Sequence, residues 1–84
     1  MKKITVRYFA SIREAIGQGS ERVDTSAASL LALRDELIAR GGAYTESLAR
    51  GRAVRVALNQ VMSDEAAALA DGAEVAFFPP VTGG

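Results

Sequence analysis

Residues 71–84 read Asp71-Gly72-Ala73-Glu74-Val75-Ala76-Phe77-Phe78-Pro79-Pro80-Val81-Thr82-Gly83-Gly84. Asp71-Gly72 is a turn pair. In residues 74–78, Val75 and Phe77 fall on one face and Ala76 and Phe78 on the other, the alternation of a strand with one buried side. Pro79 and Pro80 have no backbone N–H and a fixed φ, so the ladder ends there. The six residues that follow the strand form an extended tail that spans roughly 20 Å at about 3.3 Å per residue. Gly83 and Gly84 carry no Cβ, so a narrow channel can close around them and the terminal carbonyl is open on both faces. Two glycines alone would suit a frayed end. Preceded by a strand, an aromatic pair and a diproline, they predict a tail held out by a folded domain.

Upstream, Val54, Val56 and Leu58 alternate with Arg55, Ala57 and Asn59, predicting another strand. It turns at Asn59-Gln60 into a short return strand through Val61 and Met62. Residues 63–70 are an alanine-rich connection, expected to contain one helical turn. The main helix covers residues 29–40, with Leu30, Leu33, Leu37 and Ile38 inward and Arg34, Asp35 and Glu36 towards water. Ser29 is its expected N-cap, with Thr25 or Ser26 as an alternative, earlier start, and Arg40 with Gly41-Gly42 suits its end. Residues 43–50 form a second short helix, broken by Gly51. At the other end of the chain, residues 3–9 alternate, with Ile4, Val6 and Tyr8 facing the core. Ser11 is expected to cap a short helix through Ile12, Ala15 and Ile16, ended by Gly17 and Gly19. Residues 21–24 form a weak edge strand.

The order strand, strand, helix, strand, strand predicts an α+β domain with one main helix packed across one face of a small mixed sheet. A ferredoxin-like arrangement satisfies the same order. Eighty-four residues suit a single core, expected over 1–78 with 79–84 as the tail.

Period-two bookkeeping sets Phe9 and Phe78 on the face away from the helix, beside Arg7, Thr5, Ala57 and Ala76. Met62 extends that face as an adaptable apolar contact. Such a patch marks a protein interface, so Phe9, Met62, Phe78 and Arg7 are the candidate partner contacts. The alternative is that a loop or residues 66–70 fold over it.

Ten basic and ten acidic residues give a formal net charge of zero, which disfavours nucleic acid and anionic membranes as partners. The chain has no Cys, His or Trp. Thiolate nucleophiles, imidazole bases and soft metal sites are therefore absent, and no metal or bound cofactor is expected. With no long apolar leader or span at the start, the expected location is the cytoplasm.

The ending, Asp71-Gly72 followed by residues 74–84, closely resembles that of the small subunits of molybdopterin synthase. The resemblance continues more loosely through Asn59-Gln60, Leu33-Arg34, Tyr8-Phe9-Ala10 and Arg13-Glu14. It implies a ubiquitin-like β-grasp sulfur carrier with its first and last strands parallel at the centre of the sheet. A carboxylate with a pKa near 3.5 is ionised and inert to nucleophiles at neutral pH, so Gly84 needs activation. The resemblance implies an E1-like adenylating enzyme that uses ATP, a persulfide sulfur donor, and a thiocarboxylate on Gly84. It further implies that Pro79, Pro80, Val81, Thr82 and Gly83 thread into the synthase large subunit, in a complex of two small and two large subunits. There the sulfur would pass to a cyclic pyranopterin monophosphate to build the dithiolene of molybdopterin. Three other readings share these residues: a sulfur carrier for another pathway such as thiazole synthesis, a protein modifier joined through Gly84 to a lysine amine, and a binding module with an inert end.

Overall fold

Unbroken alternation turns Ile4, Val6 and Tyr8 of β1 (Lys2–Tyr8) into the core and leaves Lys3, Thr5 and Arg7 on the opposite face. The protein is seen here as a computed structural model, which describes residues 1–79. The other elements are α1 (Ala10–Ile16), β2 (Ser20–Thr25), α2 (Leu30–Ile38), α3 (Ala43–Leu48), β3 (Arg55–Leu58), β4 (Val61–Ser63) and β5 (Glu74–Phe78). The five strands lie in the order β2-β1-β5-β3-β4. β1 and β5 are parallel at the centre, and every other neighbouring pair is antiparallel. This is the β-grasp arrangement, not the ferredoxin-like one.

The Asp71-Gly72 turn sets the central pair. The Asp71 carboxylate accepts the Lys3 N–H at 2.6 Å, and the Gly72 N–H donates to the Lys3 carbonyl at 2.8 Å. Gly72 has φ +83°, a conformation that suits a residue without Cβ. Thr5 then donates to the Ala73 carbonyl at 3.0 Å, and β5 begins in register beside β1. At the other end of β3, Asn59 and Gln60 both have positive φ, 51° and 70°, forming the tight turn expected there.

α2 buries Leu30, Leu33 and Leu37 in one core with Val6, Tyr8, Val56, Val75 and Phe77. Ser29 caps it as expected, its hydroxyl accepting the Ala32 N–H at 3.1 Å. The edges of the sheet are β2 and β4; β2 turns Val23 and Thr25 inward and exposes Asp24 between them.

Several details differ from the sequence expectations. β1 ends at Tyr8, and α1 begins at Ala10 with Phe9, not Ser11, at the cap position. The Phe9 carbonyl accepts from Ile12 and Arg13, and no side chain caps that helix. α2 ends at Ile38, and α3 stops at Leu48.

Residues 63–70 contain no helix. Their backbone instead meets the start of α2: Leu30 donates to the Ala67 carbonyl, Leu31 to that of Glu65, and Leu69 to that of Ala28. The first amides of a helix have no partner within it, and supplying those partners outweighs the helical preference of alanine. Leu69 is buried in the core, so this segment lies with α2 and does not cover the opposite face.

Arg34, expected towards water, is 4% exposed. It lies four residues after Leu30 and three before Leu37, on their side of the helix. Its guanidinium donates to the carbonyls of Leu48, Ala49 and Arg52 at 2.7, 2.7 and 3.1 Å, and to the Glu65 carboxylate. One side chain thus fastens the end of α3 and the loop into β3 to α2.

Candidate docking face and tail root

The face opposite α2 is built from the outward residues of β1, β5, β3 and β4. Strand register places Arg7, Ala76, Ala57 and Met62 in one row across it. Phe78 stands in the next row, directly across from Arg55. The Phe9 and Phe78 rings stack with centroids 4.6 Å apart and planes 10° from parallel, and the Arg7 guanidinium sits 5.4 Å from the Phe9 centroid. Ala57 and Ala76 form a low floor between these rings and Met62; they are nearly covered because a lone methyl is shaded by larger neighbours. Met62 is 54% exposed.

The sequence thus placed Phe9, Phe78, Arg7 and Met62 on one face, and the fold brings the first three into contact. Met62 stands two strands away from Phe78. Arg7 also lies 3.8 Å from the Glu74 carboxylate, a loose and exposed pair.

Phe9 has a backbone role as well. Its N–H donates to the Phe77 carbonyl at 3.2 Å, extending the β1–β5 ladder past the last strand residue. The aromatic pair is therefore fixed where β5 ends and the tail begins.

Pro79 leaves β5 half-buried at the rim of a cleft of about 570 Å³ between α1 and α3. Its walls are Ile12 and Ala15 from α1, Ser47 from α3, and Arg52, Ala53 and Val54 from the loop that Arg34 holds. Pro80, Val81, Thr82, Gly83 and Gly84, the remaining residues assigned to the tail and its chemistry, lie outside the described residues.

A polar cluster that the sequence did not suggest braces the far side of this region. One oxygen of Glu21 accepts from the Tyr8 and Tyr44 hydroxyls, both at 2.7 Å, and the other accepts from Arg40 at 2.9 Å. Burial pushes the Glu21 carboxyl up, but its hydrogen bonds from Arg40, Tyr8 and Tyr44 outweigh this and hold it below the usual carboxylate range. Burial, then the hydrogen bond to Glu21, raises the Tyr8 phenol well above its ordinary value. No signal in the sequence joins residues 8, 21, 40 and 44. Among the described residues no cluster of acidic side chains is placed to hold a metal ion.

The model of the ThiS family matches residues 6–84. The chain belongs to the ThiS family. Two relatives, from Haemophilus influenzae and Escherichia coli, are each named molybdopterin synthase sulfur carrier subunit. They are 37% and 38% identical over 81 residues, covering 96% of this chain and 99% of theirs. Solved structures agree on the fold. SAMP1 from Haloferax volcanii superposes with a TM-score of 0.76 at 26% identity, covering 98% of this chain and 99% of that one. The complex of subunits 1 and 2 of the molybdopterin-converting factor from Helicobacter pylori holds a chain 28% identical, TM-score 0.68, with the same coverage. The family assignment expected from the ending of the sequence holds, and the architecture is the ubiquitin-like β-grasp of this ThiS family member's neighbours.

Proposed function

We propose that this ThiS family chain is the sulfur carrier subunit of molybdopterin synthase in the cytoplasm, with residues 1–78 as holder and 79–84 as the working tail. The observation that carries the reading is the near full-length likeness to two proteins bearing that name. In the proposed cycle an E1-like partner binds ATP and adenylates the Gly84 carboxylate. The terminal sulfur of a persulfide displaces AMP to give an acyl disulfide, and a thiol of the partner then cleaves its S–S bond, leaving the thiocarboxylate on Gly84 as the two partner sulfurs join in a disulfide. The large subunit then takes the tail through Pro79, Pro80, Val81, Thr82 and Gly83, and sulfur passes to a cyclic pyranopterin monophosphate on the way to the dithiolene. The carboxylate is regenerated on release.

The holder's part is docking. Phe9 and Phe78, with Arg7 and Met62, offer a preformed apolar face at the tail root, and aromatic residues with arginine are the types that anchor protein interfaces. The solved complex of subunits 1 and 2 in a relative supports a large-subunit partner.

Intact mass tests the reading. After incubation with the activating partner, ATP and a persulfide source, one oxygen of the wild-type chain should be replaced by sulfur. Deleting Gly84 should abolish the change without altering the fold, because an extended tail contributes little burial. Sulfur transfer by the deletion variant at the wild-type rate would overturn the assignment.

A further inference from the structure

An activated acyl group held on a short tail is a hazard to its own chain. A tether of a few residues keeps it at about millimolar effective concentration near any nucleophile it can reach. Lysine amines are nucleophilic in their deprotonated fraction, whereas arginine keeps its proton in proteins. The chain has eight arginines but only two lysines, and neither Cys nor His.

The positions of these residues are as uneven as their numbers. The cations around the tail root are all arginines. Arg55 is the strand partner of Phe78, Arg52 lines the cleft that Pro79 enters, and Arg7 stands over Phe9. Both lysines lie at the start of β1, which runs parallel to β5, so they sit at the opposite end of the sheet from the one where the tail departs. Lys2 precedes Thr5 by three residues, and Thr5 pairs with Glu74, four residues before Phe78. At 3.3 Å per residue this separates Lys2 from the tail root by roughly 20 Å. A six-residue tail covers that distance only when fully stretched back along the sheet. The Lys2 ammonium is also engaged, donating to the Ala27 carbonyl at 2.8 Å.

We infer that Arg52 and Arg55 act as specificity-determining residues: cations placed at the tail root that cannot be acylated, so that the activated Gly84 reaches its intended acceptor before any amine of its own chain. The reaction avoided is simple. A lysine nitrogen would attack the Gly84 carbonyl, a C–N bond would form as the bond to the leaving group broke, and the amine would lose a proton. The product would be an isopeptide-closed chain that no partner could use. The inference rests on the proposal that Gly84 is activated, but its test does not need the activating enzyme.

The full chain is prepared with a Gly84 thioester by thiol cleavage of an intein fusion, as wild type and as Arg52→Lys and Arg55→Lys. Each is left at mildly alkaline pH, and the products are followed by intact mass and by mapping of branched peptides. The wild-type thioester should hydrolyse to the acid. The two lysine variants should form an isopeptide between Gly84 and the introduced lysine, in about tenfold or greater excess over any branched product of the wild type. Both keep the positive charge, so a merely electrostatic role for these arginines would leave the products unchanged. Branching of the wild type at Lys2, Lys3 or the Met1 amine at a rate rivalling hydrolysis would overturn the inference, as would variants that branch no more than wild type. Failure of the proposed function would appear separately, as no sulfur gained with the activating partner.

Discussion

Phe78 stacks on Phe9 on the open face of the sheet, while Phe77, one residue earlier, is 1% exposed in the core against Tyr8. Core and docking roles should therefore separate by mutation. Phe77→Ala should cost about 3–5 kcal/mol, a large share of the 5–15 kcal/mol typical of a domain. Phe78→Ala loses a stack worth about 1 kcal/mol and should unfold near the wild-type midpoint. Its affinity for the large subunit should fall by about 2 kcal/mol, roughly thirtyfold. Urea unfolding and calorimetric titration of both variants check this; equal destabilisation with intact affinity for Phe78→Ala would invert the two faces.

Arg34 offers a second separation, between folding and the order of one loop. Lysine keeps the charge but cannot reach three carbonyls and a carboxylate from one planar fork. Leaving the Leu48, Ala49 and Arg52 carbonyls without their donor should make Arg34→Lys less stable by about 3 kcal/mol. Hydrogen exchange should quicken first in residues 49–54, the wall of the cleft beside Pro79. A uniform change across the sheet would show that Arg34 acts on the core as a whole.

The strand faces were legible because alternation runs unbroken through Ile4-Val6-Tyr8, Val56-Leu58 and Val75-Phe77; the cap was legible only as one of three hydroxyls, since Thr25 and Ser26 offer the same chemistry as Ser29. Arg34 was not, since a charged residue reads as solvent-facing until the carbonyls of residues 48–52 are found against it. Residues 63–70 misled for a related reason: their alanines favour a helix, but the unpartnered amides of α2 claimed their backbone. At the site, the aromatic pair follows from local pattern alone. Arg55 beside Phe78 does not, because it depends on the register of β3 against β5, set by Asn59 and its turn.

Stability should fall away from neutral pH on both sides through one cluster. The folded pKa of Glu21 is depressed, so its contribution is complete above the unfolded value of about 4.3 and is lost as pH drops through the folded one. The folded pKa of Tyr8 is raised, so its contribution is complete below about 10 and declines as pH climbs beyond that. Denaturation midpoints across pH should show the acid limb flattened in Glu21→Gln and the alkaline limb flattened in Tyr8→Phe. Unchanged slopes would assign the pH dependence to other groups.

Asn59 and Gln60 share a left-handed backbone but should answer oppositely to glycine. Gln60 gains nothing from its side chain in the described contacts, and a residue with Cβ costs about 1–2 kcal/mol in this conformation. Gln60→Gly should relieve that cost, partly offset by the extra freedom of glycine in the unfolded chain, for a net gain of about 0.5–1 kcal/mol. Asn59 tolerates the conformation better, and its side-chain oxygen accepts the Glu74 N–H at 2.9 Å while its own N–H donates to the Glu74 carbonyl at 2.8 Å. Asn59→Gly keeps the second bond and loses the first, a loss of about 1 kcal/mol that leaves the start of β5 with an unpaired amide. Thermal unfolding of the two variants should therefore move in opposite directions. A gain in both would mean that the Asn59 side chain does not hold β5 to the turn.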